Sequence, residues 1–250
     1  MSTEQKKITD RKYFVPFVLI TSLFFLWGFA RAILDVLNKH FQNALHISIT
    51  HSSLIQVTTY LGYFLMAIPA GIFINRYGYR RGVVFGLILF GAGSLLFIPG
   101  AAMGSFSAFL LCLFIIGCGL VFLETAANPY VTELGAKETA TSRLNLSQSF
   151  NGLGSLFATF CVGQFLFNNT EKGGNVVVPY TILGILVLLI ALVFSRVHLP
   201  EIKHEVTAED EAKGSNIGKL FAHHGMFVFG LLALLCYEIA EISINSYFIN

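Results

Sequence analysis

Four carboxylic acids and one base lie inside stretches of this sequence that are otherwise apolar: Asp35, Glu124, Glu238, Glu241 and Arg31. A charge at the centre of a bilayer costs about 2.5–3.5 kcal/mol on insertion scales, so such residues are rare and mark a functional interior. One base cannot neutralise four acids, so some of them carry a proton in some state of the protein. That suits a carrier that moves protons. Arg31 and Asp35 are four residues apart and Asn38 is three further on, which places all three on one face of a helix. The cation favours the ionised form of Asp35, although such a pair also serves plain packing. Glu124 has no base within a turn and has Thr125 and Asn128 as polar neighbours. Desolvation favours the protonated form of a carboxyl so placed. It reads either as a proton-binding group or as a permanently neutral acid bonded to a neighbouring helix.

A second constellation is uncharged. In "SRLNLSQSFNGLGS" the residues Asn145, Gln148, Asn151 and Gly152 recur at spacings of three or four, along one helical face. An amide carries donors and an acceptor on one planar group and so matches the hydroxyls of a sugar better than it matches an ion. Amides also hold membrane helices together, and both roles stay open at this point. Gln56, Tyr60 and Tyr63 form a weaker stripe that reads first as core.

These residues need helices to position them. A bilayer core takes about 20 apolar residues per helix. Candidate spans run over 14–38, 52–74, 82–99, 106–132, 143–167, 179–198 and 225–249. Pairs of small residues, Gly82/Gly86, Gly117/Gly119 and Gly152/Gly154, would let neighbouring helix backbones approach closely. The polar stretch "EIKHEVTAEDEAKGSNIGK" reads as a solvated linker. The expected organisation is a short N-terminal segment over 1–13, a six-helix bundle over 14–198, a linker over 199–224 and a seventh helix over 225–250.

Composition agrees: 55% hydrophobic residues against 12% charged, with a mean hydropathy of +0.70, describe an integral membrane protein. A net charge of +2 with dispersed basic residues gives no nucleic-acid surface. Cys112, Cys118, Cys161 and Cys236 show no ligand spacing, so no metal or disulfide role is expected. No nucleophile–base pair or phosphate loop suggests an enzyme. The basic residues gather on alternate connections, among them Lys6, Arg11, Arg76, Arg80, Arg81, Lys137, Arg143, Arg196 and Lys203. The opposite connections hold Lys39 and Lys172. By the positive-inside rule the N-terminus is expected in the cytoplasm.

The loop "GIFINRYGYRR" is similar to the cytoplasmic signature loop of the major facilitator superfamily, with Asn75 where that signature usually has an acid. Three further stretches, "FFLWGFARAILDVLNKHF", "FLETAANPYVTELG" and "RLNLSQSFNGLGS", together resemble the fucose permease family, sugar:proton symporters of that superfamily; "LLCYEIAEISINSYF" resembles its seventh helix. The resemblance implies an all-α membrane fold, an N-terminal six-helix bundle of two inverted three-helix repeats plus a seventh helix. It implies proton-coupled uptake of fucose, glucose, galactose or a similar hexose, with the proton as coupling ion and no other cofactor. In the family the first-helix acid falls on Asp35 and the principal protonation site on Glu124. The sugar-contacting amides fall on Gln148 and Asn151, and the seventh-helix acid on Glu241. Arg31 and Ala32 stand where fucose transporters carry an asparagine pair, which leaves the sugar open.

The lipid bilayer and a monosaccharide are the expected partners, and the plasma (inner) membrane the expected location. A chain that stops at its seventh helix is expected to be part of a roughly twelve-helix protein. The alternatives are a sodium-coupled or uncoupled sugar carrier, or a sugar-binding sensor half that does not transport.

Overall fold

The computed structural model describes residues 8–45, 48–168, 177–197, 199–200 and 225–248; within these, the side chains of 35–45, 49–50, 162–163, 165–168 and 245–248 are left undescribed. The side chains of Asp35 and Asn38 and most of the expected linker therefore lie outside the described residues.

Every expected span is a helix: α1 (Phe14–Leu45), α2 (Leu54–Tyr77), α3 (Tyr79–Leu95), α4 (Phe106–Glu133), α5 (Ala140–Asn168), α6 (Val177–Arg196) and α7 (Gly225–Phe248). A short helical segment, Phe97–Ala102, extends α3, and no strand occurs among the described residues. Among the described residues, six helical stretches are long and apolar enough to cross a membrane, one each from α1, α2, α3 with its extension, α4, α6 and α7. The chain divides into two compact units, Met1–Ile202 and Lys203–Asn250. The first holds α1–α6 and the second holds α7.

Within the first unit α1 packs along α5, α2 and α3 pack on α4, and α6 packs on α3. Exchanging α1–α3 for α4–α6 turns the α1/α5 pairing into the α4/α2 pairing, the relation an internal repeat requires. The lipid-facing side is legible on α2, where Phe64 (79% exposed), Ile68 and Ile72 form an apolar stripe one turn apart. Such a surface suits lipid and not water.

Glycine sets the closest contacts. A Cβ on Gly28 of α1 would fall on the Asn151 carbonyl of α5, and one on Gly154 of α5 would fall on the Phe25 carbonyl of α1. Two polar bonds pin the same seam: Thr21 Oγ1 to Ser147 Oγ at 3.0 Å, and Ser155 Oγ donating to the Gly28 carbonyl at 3.0 Å. Gly86, Gly117 and Gly119 make equivalent approaches to α4, α2 and α3, as the sequence suggests. Gly82 and Gly152 do not. The atoms nearest a Cβ on Gly82 belong to the Ile74 side chain and not to a helix backbone, and Gly152 meets nothing within 4 Å. Gly154→Leu is therefore expected to lower the unfolding temperature of the detergent-solubilised protein, at the upper end of the ~1–3 kcal/mol typical of overpacking. Gly152→Leu, half a turn away, should leave it unchanged.

At one end of the first unit the loops are tied by cations. Gly78, at φ 88° between α2 and α3, takes a backbone conformation open to glycine and donates its N–H to Ile74 at 2.8 Å. Arg80 then bonds the last carbonyls of α6, at Phe194 and Ser195. The signature-like loop thus caps a neighbouring helix although Asn75 replaces its acid. Arg143 is fully buried and donates to the carbonyls of Val131 (3.0 Å), Thr132 and Ile8 (2.9 Å) and to Thr139 Oγ1 (2.7 Å).

Candidate functional site

Glu124 sits mid-helix on α4 and is half-buried. It lines a cavity of about 10 Å³ between α1 and α4, with Leu23, Phe24 and Trp27 on one side and Leu123, Ala127 and Asn128 on the other. That is roughly the room of one water molecule. Trp27 Nε1 donates to Tyr63 Oη of α2 at 3.0 Å. The Tyr63 hydroxyl in turn lies within electrostatic reach of Glu124, Tyr60 and Arg31. Helices α1, α2 and α4 therefore meet near this carboxyl, with Trp27, Tyr63 and Asn128 as polar residues around it.

The local sequence explains this placement. Gly117 on α4 and Gly62 on α2 bring those helices together, a Cβ on Gly62 reaching 2.8 Å from the Phe114 carbonyl. Pro129 lies inside α4. Its missing N–H removes the helical donor for the Thr125 carbonyl, and membrane helices tolerate such a break where neighbours can satisfy the freed group. The turn carrying Glu124, Thr125 and Asn128 is thus the polar and least regular turn of its helix. The Asn128 carbonyl oxygen is buried and has no hydrogen-bond partner.

On α5 the residues sort into three stripes. Arg143, Ser147, Gly154 and Ala158 are buried against the bundle. Leu146, Phe150, Leu153, Phe157 and Phe160 are exposed and apolar. Asn145, Gln148, Gly152 and Thr159 form an exposed polar stripe, with Leu156 at its border. Asn151 lies between, half-buried, with its backbone against Gly28. Helix α1 is the shared wall, since Trp27 lines the cavity with Glu124 while Gly28 meets α5.

The predicted residues fall into three groups. Glu124 and Arg31 come together around Tyr63. Asn145, Gln148 and Asn151 stand on the adjacent helix. Glu238 and Glu241 are half-buried, three residues apart on α7 of the second unit. Trp27 and Tyr63 are members that sequence reasoning missed or assigned to the core. Their signal was the single tryptophan of the chain, on the face that also carries Arg31, and the Tyr60/Tyr63 spacing.

Comparison with known proteins agrees with this architecture. Residues 20–250 match the model of the Major Facilitator Superfamily. The chain is 39% identical over 225 residues to an L-fucose-proton symporter of Haemophilus influenzae, covering 80% of this chain and 53% of that protein. It is 35% identical over 248 residues to a glucose/galactose transporter of Brucella abortus, covering 97% and 59%. The chain thus spans just over half the length of the relatives it matches. A crystal structure of the Escherichia coli fucose:proton symporter FucP superposes with a TM-score of 0.67 at 33% identity, over 82% of this chain and 56% of that one. The inward-open xylose transporter XylE, at 16% identity and a TM-score of 0.59, shares the fold over 94% of this chain and 57% of its own. With the family model matching nearly the whole chain and the helix bundle superposing on these transporters, the chain is a membrane protein that belongs to the major facilitator superfamily.

Proposed function

We propose that this chain is the N-terminal half, with the first helix of the second half, of a proton-coupled hexose symporter of the fucose permease family. The observation that carries this reading is the half-buried Glu124 carboxyl, set in a cavity with Trp27 and Asn128 beside Tyr63 and separated by α1 from an exposed polar stripe on α5. In lipid an exposed amide stripe is expensive, whereas the adjacent Leu146/Phe150/Leu153 stripe is not. The polar stripe therefore faces a watery path between the two halves, where the superfamily binds substrate near the midplane. The relatives are named for L-fucose with a proton and for glucose/galactose, which supports a hexose as substrate.

In this reading Glu124 takes up a proton from outside. Sugar hydroxyls then bond Gln148, Asn151, Asn145 and the Asp35/Asn38 face of α1; Glu241, on α7 of the second unit, is a further sugar contact on the family resemblance alone. The halves rock, and both cargoes leave on the cytoplasmic side. Arg31 holds Asp35 ionised, which leaves Glu124 as the titrating group. Residues 14–198 form the first bundle and 199–224 the linker. The N-terminus is cytoplasmic in the plasma (inner) membrane, and the proton is the coupling ion.

Uptake of labelled fucose, glucose and galactose by the complete gene product in energised vesicles tests the reading. Accumulation that survives a protonophore or follows sodium contradicts it. Gln148→Ala and Asn151→Ala are each expected to raise KM about tenfold, the loss of one good hydrogen bond, and to leave the pH profile in place. A shifted pH profile with unchanged KM would place these amides outside the sugar site.

A further inference from the structure

The symport reading leaves one buried polar atom of the site without a role. Asn128 lies one turn beyond Glu124 on α4, and both residues line the small cavity closed from the other side by Leu23, Phe24 and Trp27. Its side-chain oxygen Oδ1 is buried with no hydrogen-bond partner. An acceptor kept in that state is costly unless some form of the site satisfies it. Residues at i and i+4 are neighbours on a helix surface. A protonated carboxyl is the one form of Glu124 with an O–H to give; the ionised form only accepts.

Resting on the symport reading, we propose that Asn128 is a positioning residue for the proton: its carbonyl oxygen accepts the hydrogen bond of protonated Glu124 across the shared cavity and so raises the affinity of that carboxyl for its proton. Other titratable and charged groups stand on the helices packed around α4. From α2 the titratable groups are Tyr60 and Tyr63, and Tyr63 Oη already receives the Trp27 N–H. From α1 the charged group is Arg31, with Asp35 further along the same face, and a cation opposes protonation of Glu124 instead of holding it. Helix α3 meets α4 through Gly86 and Phe90, neither titratable. Helix α5 offers uncharged amides, and its Arg143 is spent on the carbonyls at the end of α4. Pro129 next to Asn128 frees the Thr125 carbonyl, so one helical hydrogen bond is missing within this turn.

The test is the pH dependence of sugar-driven proton uptake by the complete gene product in vesicles. Asn128→Ala should move the midpoint about one pH unit to the acid side, a tenfold loss of proton affinity, with KM for sugar at saturating proton concentration unchanged. Asn128→Asp, nearly isosteric, sets a second carboxyl beside Glu124 and should move the midpoint to the alkaline side, because two like charges resist joint ionisation. If Asn128→Ala does not reach the membrane, the Asp variant decides alone. Unshifted midpoints, or a raised KM without a shift, overturn the role of Asn128. A wild-type protein whose uptake ignores protons overturns the symport reading itself, so the two failures are distinct.

Discussion

Under the proposed symport, Glu124→Gln in the complete gene product is expected to abolish uphill sugar accumulation while leaving downhill exchange of sugar intact. Glutamine keeps the size of the side chain and can still hydrogen-bond into the cavity shared with Trp27 and Asn128, but it cannot bind or release a proton. A driving force of 100 mV is worth about 2.3 kcal/mol per charge moved, which for one proton per sugar sustains roughly a 40-fold gradient at about 1.4 kcal/mol per tenfold. The variant should bring that ratio to one. Counterflow of labelled against unlabelled sugar reports the exchange that remains. A variant that still concentrates sugar would remove Glu124 from the coupling step, and loss of exchange as well would give it a direct part in sugar binding.

The second large effect is structural. Arg143→Met should destabilise the first unit by about 3 kcal/mol or more, because buried acceptors stripped of a charged donor cost ~1–3 kcal/mol each. One guanidinium here serves the Val131 and Thr132 carbonyls at the end of α4, the Ile8 carbonyl of the N-terminal segment and Thr139 Oγ1 before α5. Thr9 Oγ1, donating to the Leu134 carbonyl at 2.7 Å, reinforces the same junction. At about 2–4 °C per kcal/mol for a unit of this size, the unfolding temperature in detergent should fall by roughly 6–12 °C. Arg143→Lys should recover only part of this, since one ammonium lacks the planar fork that reaches several segments at once. An unchanged unfolding temperature in the Met variant would show that the junction holds by apolar packing instead.

Much of this was present in the sequence. The apolar runs fixed the existence and order of all seven helices, because a bilayer demands a length and a composition that no connection can imitate. The place of Glu124 inside a spanning helix was legible for the same reason, since a carboxyl amid Phe122, Leu123 and Ala126 stands out by its cost alone. The run of amides along α5 was legible through helical spacing, and Gly78 through the turn it makes. Other features depend on which faces meet, and spacing along one helix does not determine that. Gly152 and Gly154 look alike in the sequence, yet one stands open and the other carries the α1/α5 seam. Tyr63 has the pattern of a core residue, and only the crossing of α1 over α2 places it against Trp27 and within reach of Glu124. Arg143 counts as one more basic residue for topology until Val131 and Thr132 at the end of α4 and Ile8 of the distant N-terminal segment close around it. Helices in a bilayer form from local hydrogen bonds and hydropathy, so the chain announces them one at a time. The site is made by contacts between helices, and those are set by small residues and unpaired polar atoms whose partners become known only once the bundle has assembled.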